Sequence, residues 1–146
     1  MTTRRRLLGA MAIALLPQSA WATAPADDAL AAAIRAAIGD IEPIDGGIEL
    51  RLPTLAENGA QVPLSVLVDS PMTDDDHVTT IHVFATANPT PGIASFHLFP
   101  GIARAEIHTR IRVAEAQSII VLARHSDGRI HRTSAHLSVT RGGCPS

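Results

Sequence analysis

The chain has 146 residues, 12 basic and 14 acidic, for a formal net charge of −2. All 12 basic residues are arginines, and no clustered basic face of the kind that binds nucleic acid is legible in their spacing. A single cysteine excludes an internal disulfide framework, and the length suits one domain better than two.

The first 24 residues read as an export signal. Arg4, Arg5 and Arg6 precede an apolar run over residues 7–16, then Pro17, then Ala20, Ala22 and Ala24 at the small-residue spacing of a cleavage site. The run is shorter than the roughly 20 residues that a membrane-spanning helix needs, so no membrane anchor is expected. The paired arginines point to the twin-arginine route and a periplasmic destination. Cleavage after Ala22 is favoured over Ala24, because Pro25 would follow the second cut directly and hinder a peptidase. Without the three leader arginines, nine basic residues face 14 acidic ones, a net charge of −5. The three Phe, the absent Tyr and the one Trp, inside the leader, leave the core to Ile, Val, Leu and Ala.

Residues 25–140 form the predicted domain. Asp27 and Asp28 precede a helix over 29–38, with Leu30, Ile34 and Ile38 on one stripe and Gly39 as its stop. Strands are then predicted over 48–52, 62–68, 78–85, 94–99, 103–113, 117–125 and 129–140. Their punctuation comes from Glu57-Asn58-Gly59, from Asp69-Ser70-Pro71, from Asn88 to Gly92, and from the hairpin signal Asp127-Gly128. Within 103–113, Ile107, Thr109, Ile111 and Val113 alternate with Glu106, His108, Arg110 and Arg112. In the last strand Thr133, Ala135, Leu137 and Val139 are expected inward, and Arg132, Ser134, His136 and Ser138 outward. The nearly continuous apolar run of 117–125 suits a central strand. Seven short strands at close spacing predict an all-β, immunoglobulin-like antiparallel sandwich with one short N-terminal helix. Residues 141–146 are left as a flexible arm beyond the last strand.

The chemistry concentrates in that arm. Cys144 follows Gly142 and Gly143, and an unpaired cysteine in an exported chain is either an intermolecular link or a free reactive thiol. A few per cent of an exposed thiol is ionised at neutral pH, which suffices for a nucleophile. Seven histidines (His77, His82, His97, His108, His125, His131 and His136) show no metal-binding spacing, and Asp74-Asp75-Asp76 lacks the glycine and terminal glutamate of a calcium loop. No metal and no cofactor is expected. No nucleophile elbow, phosphate loop or nucleotide fingerprint is present, so a self-contained enzyme is not indicated.

A series of short motifs runs in order along the chain. They are Glu57-Asn58-Gly59 with Val62-Pro63, Ser70-Pro71-Met72, Ile81-His82-Val83-Phe84, Asn88-Pro89 and Ser95-Phe96-His97. Arg110-Ile111-Arg112-Val113-Ala114, Gln117, Ser126-Asp127-Gly128 and Gly142-Gly143-Cys144 complete it. Together with the arginine-paired leader, the series resembles the sulfur-oxidation carrier family SoxY. The resemblance implies an immunoglobulin-like fold and a heterodimer with a SoxZ-like companion. It also implies a swinging arm hinged at Gly142 and Gly143, on which Cys144 carries sulfur intermediates of thiosulfate oxidation covalently. The partners so implied are a c-type cytochrome complex that attaches thiosulfate, a hydrolase that releases sulfate and, where present, a sulfane dehydrogenase. The alternative is an exported immunoglobulin-like interaction module that uses Cys144 for an intermolecular disulfide. One departure stands out: the family arm ends Gly-Gly-Cys-Gly-Gly, whereas Pro145 and Ser146 follow the cysteine here. Pro145 fixes its own φ and biases Cys144 toward an extended backbone.

Overall fold

The computed structural model describes residues 25–140; the expected leader and the expected arm lie outside them. Helix α1 spans Pro25–Ile38, four residues longer at its start than the predicted helix. Proline is favoured at the first helical position, where its missing N–H has no partner to lose. Asp27 and Asp28 therefore lie within the first turn, where they complement the helix dipole. Gly39 closes the helix with φ of 71°, and its N–H donates to Arg35 O at 2.8 Å.

Nine strands follow among the described residues: β1 (Ile44–Asp45), β2 (Ile48–Arg51), β3 (Leu55–Ala56), β4 (Val62–Val68), β5 (Val78–Ala85), β6 (Gly92–His97), β7 (Ala105–Ile111), β8 (Gln117–His125) and β9 (Ile130–Val139). They build two sheets. The larger has the order β1-β9-β8-β5-β6, with β3 also on β9, and the smaller runs β2-β4-β7. The predicted sandwich is the observed architecture, with β4, β5 and β8 at the predicted bounds.

Two departures are instructive. The strand predicted over 94–99 is displaced two residues toward the N-terminus, and Phe99 is 71% exposed. Pro100 follows Phe99 and has no N–H to continue a ladder. The second departure is the pair β1 and β3, absent from the prediction and joined in parallel to β9, in an otherwise antiparallel fold. Strand β8 holds one edge of β9. The other edge is shared by β1, beside His131 and Arg132, and by β3, beside Ser138 and Val139. Two-residue strands carry too little alternation to be read from sequence.

Side-chain alternation then decides the packing. Val62, Leu64, Val66 and Val68 of β4 face Ile81, Val83, Ile119, Val121, Ala123 and Leu137 across the inter-sheet core. Val78 and Ile81 both enter this core although three positions separate them. An irregularity in the β5–β8 register between Val78 and Thr80 absorbs the extra residue. Beyond it, Phe84, Leu122 and Ile130 point from the opposite face of the larger sheet onto Ile38, Ile34 and Leu30 of α1. The strand β8 is thus buried on both faces, which is why its sequence is continuously apolar. The Ser70-Pro71-Met72 turn also serves packing. Met72 adopts φ of 52°, rare for a non-glycine residue, yet it is only 3% exposed. Its sulfur lies 3.3 Å from the Val78 N–H, and its carbonyl accepts from Gly101 N at 3.1 Å.

Candidate functional site

Strand β9 delivers the chain toward Cys144, so the end of the sandwich where β9 finishes is the candidate site. The last described residue is latched there. Ser138 N donates to Thr54 O at 2.9 Å and Thr140 N to Ala56 O at 3.0 Å. The Thr140 hydroxyl donates to Glu57 O at 3.1 Å. The segment from Thr54 to Glu57, with β3 at its centre, therefore fixes where the chain leaves the body. Sequence reading missed this latch; the only available signal was Glu57-Asn58-Gly59, read as a plain turn.

Around the same end, Gln117 is 4% exposed and ties three segments together. Its Oε1 accepts from Ala87 N at 2.7 Å, and its Nε2 donates to Asn88 Oδ1 at 2.8 Å and to Glu115 O at 3.1 Å. Asn88 continues the network, donating from Nδ2 to Arg112 O at 2.9 Å and accepting from Ala114 N at 3.1 Å. Val113 N donates to Gly59 O at 2.7 Å, joining this network to the latch. Asn88, Gln117 and the run from Arg110 to Ala114, scattered in the sequence, become one hydrogen-bonded frame that holds the loops at the exit. A buried side-chain amide with every group satisfied specifies a single loop arrangement.

The histidines do not converge. Among the described residues, no group of three His, Cys, Asp or Glu side chains is placed to hold a metal ion. His108 Nδ1 lies 2.7 Å from Ser65 Oγ, and His82 Nδ1 lies 2.8 Å from Ser95 Oγ. Burial, and secondarily Arg124 and His97, pushes the His82 pKa down. His125 and His131 meet edge to face with ring centroids 4.9 Å apart, at the end of the sandwich opposite the exit. The His131 Nδ1–H donates to Gly46 O at 3.0 Å. Both His125 ring nitrogens are buried without a hydrogen-bond partner among the described residues. Burial, then the charge of His131 and Arg129, lowers its pKa, against a smaller opposing effect of Asp127 and Asp76. In the acidic loop, Asp74 and Asp75 are exposed, as expected. No described helix is long and apolar enough to cross a membrane.

The expected site residues, Gly142, Gly143 and Cys144, lie outside the described residues. What the described part defines is a class: a two-sheet immunoglobulin-like body with a rigidly latched exit two residues before a Gly-Gly-Cys sequence. Comparison with known proteins makes this specific. The family described as "Sulfur oxidation protein SoxY" matches residues 34–144, and the chain belongs to that family. The structure is similar to that of the sulfur carrier protein SoxY from Chlorobium limicola f thiosulfatophilum. There the TM-score is 0.65 at 31% identity, over 77% of this chain and 97% of that one. Superoxide reductases share the fold alone. The neelaredoxin of Ignicoccus hospitalis aligns at 10% identity and TM-score 0.57, over 64% of this chain and 80% of its own. The superoxide reductase of Nanoarchaeum equitans aligns at 9% and 0.51, over 62% and 91%. No curated protein sequence matches the chain.

Proposed function

We propose that this protein is a periplasmic carrier, exported by the twin-arginine route, that holds sulfur intermediates of thiosulfate oxidation covalently on Cys144. Catalysis belongs to other proteins, and the chain supplies the attachment point. The supporting observation is the extent of the family match, which runs through the sandwich and ends on Cys144 itself. The likeness to a sulfur carrier protein of Chlorobium supports the same reading.

On this reading Gly142 and Gly143 are the hinge, since glycine imposes the least backbone restriction. From Thr140 to Cys144 the chain can reach about 13 Å at most, at roughly 3.3 Å per residue. That reach lets the thiol enter a partner's active site while β9 stays latched. The partners are a SoxZ-like companion, a c-type cytochrome complex that attaches thiosulfate, and a sulfate-releasing hydrolase. A sulfane dehydrogenase acts where one is present. Pro145 adds bulk next to the thiol and narrows the set of channels that the arm enters.

Intact mass of the protein from thiosulfate-grown cells, with and without reductant, is the test. The expected result is reductant-labile sulfur or thiosulfonate additions on Cys144, absent from a Cys144→Ser variant that folds normally. A bare thiol, or only a disulfide-linked dimer indifferent to thiosulfate supply, would overturn the reading.

A further inference from the structure

Eight arginines fall among the described residues. Five of them, Arg35, Arg51, Arg104, Arg129 and Arg132, face carboxylates. Arg124 donates to Ala37 O near the C-terminal end of α1 at 3.3 Å. The remaining two, Arg110 and Arg112, have no carboxylate partner among the described residues. Arg110 is held by a neutral group, donating from Nη1 to Gln61 Oε1 at 3.0 Å, and no carboxylate among the described residues offsets its charge. In a chain with more acidic than basic residues, two such cations one turn of the pleat apart are unusual.

They border a groove of about 470 Å³ between β6 and β7. Among the described residues each of these strands is paired on one side only, so the groove runs between two sheet edges. It is lined by Asn88, Thr90, Ile93, Thr109, Arg110 and Arg112 among others, and by no acidic residue. Arginines, threonine hydroxyls and the unpaired N–H groups of sheet edges are the donors that an oxyanion takes.

The groove shares Asn88 and Arg112 with the hydrogen-bonded frame at the chain exit. Thr140 is bonded to Glu57 O at 3.1 Å, and Gly59 O accepts from Val113 N at 2.7 Å. With the two residues from Glu57 to Gly59 spanning at most about 7 Å, the path from Thr140 to the Arg112 backbone is under about 20 Å. The 13 Å or so of chain up to Cys144 covers most of that distance, and the cysteine and arginine side chains cover the rest.

We propose that Arg110 and Arg112 form a docking site for a sulfonate, filled by the anionic end of the cargo when Cys144 is loaded. The inference rests on the carrier reading. The bare thiol offers no anion of this kind, so the loaded arm folds back on its own body and the unloaded arm does not. A short tether gives an effective concentration in the millimolar range, enough for two exposed arginines to hold a sulfonate that would bind weakly when free. Docking shields the cargo between partners and makes the two states of the carrier differ in shape.

The test uses the purified chain with Cys144 converted by tetrathionate to the S-thiosulfonate, the extent of loading confirmed by mass. Amide NMR shifts are compared for loaded and unloaded protein. Expected are shifts over residues 88–94 and 109–113 on loading, lost in the Arg110→Gln/Arg112→Gln double variant. Both arginines are exposed, so that variant keeps the wild-type Tm. Millimolar free thiosulfate added to Cys144→Ser should move the same signals, with affinity about tenfold weaker when Arg112→Gln is also present. Shifts confined to residues beyond 139, or groove shifts that persist in the double variant, would overturn the proposal. Groove shifts from free thiosulfate with none from the loaded arm would do so as well. Chemical loading separates the two readings, because a loaded arm that ignores the groove refutes docking while native adducts still report carriage.

Discussion

Replacing Gln117 by leucine tests whether the frame at the chain exit is held by its buried amide. The change keeps side-chain size and removes three hydrogen bonds, from Ala87 N, to Asn88 Oδ1 and to Glu115 O. Each such bond contributes about 0.5–1.5 kcal/mol net, and the Ala87 N–H is left without its acceptor in a partly buried position. The loss is about 2–4 kcal/mol, offset by roughly 1 kcal/mol from the added apolar surface of leucine. A net cost of about 1–3 kcal/mol lowers Tm by roughly 4–15 °C for a domain of this size. The assay is urea unfolding followed by far-UV circular dichroism, since the described residues contain neither Trp nor Tyr to report by fluorescence. Asn88→Ala should cost a similar amount, and the double variant should fall short of additivity by about 1 kcal/mol, because one bond joins the pair. A cost for Gln117→Leu below about 0.5 kcal/mol, or an additive cycle, would refute the claim that this frame is cooperative.

Stability should depend on pH through His125. Burial lowers its folded pKa below the ordinary value of 6.5, so the unfolded chain takes up the proton first as pH falls. Stability is then complete above about pH 6.5, declines as pH drops toward the folded pKa, and levels off below it; unfolding midpoints between pH 7.5 and 5 measure this. His125→Leu should flatten that slope, leaving the contribution of the same sign from His82; an unchanged slope would exclude His125 as its source. Ile38→Ala should cost about 2–4 kcal/mol in the same urea assay, because Ile38 is 3% exposed against Phe84, Leu122 and Ile130; a cost near zero would mean that α1 does not stabilise the body. Gly47→Ala should be destabilising by about 1–3 kcal/mol, since φ is +74° and the new Cβ would lie 2.8 Å from His131 Nδ1. Retention of wild-type stability there would contradict the close approach of that turn to β9.

The strands with strong alternation or continuous apolar character were legible, and for a physical reason. Val62 to Val68 presents four core residues at alternate positions, and β8 is apolar because α1 covers its second face. The helix stripe of Leu30, Ile34 and Ile38 is the face that meets the sheet. What escaped was set by backbone pairing. Leu55 and Ala56 carry no pattern of their own, and Leu55 is 54% exposed, yet their carbonyls and N–H groups complete the edge of β9. Gln117 and Asn88 were visible as single polar residues, but 28 intervening positions hide that they bond each other. The pairing state of the arginines was equally hidden. Nothing in the sequence separates Arg112 from Arg132, which the parallel addition of β1 brings to Asp45 at 2.9 Å.

The latch at Thr140 bears on how carriage and folding are divided. The inter-sheet core is closed by Leu137 and Val139, and the hydrogen bonds of β9 are complete at Thr140. Both features lie within the described residues, so the pivot that the carrier reading requires is built by the body itself. A fixed exit matters because tether length sets local concentration. Fraying β9 by three residues would raise the maximum reach of the chain before Cys144 from about 13 Å to about 23 Å. Since effective concentration falls roughly as the −3/2 power of tether length, the thiol would be delivered to any nearby site at less than half its former concentration. The hydrogen bonds that Ser138 and Thr140 donate to Thr54 O, Ala56 O and Glu57 O prevent that loss. On the proposed carrier reading, they convert an ordinary strand end into a defined pivot for the arm.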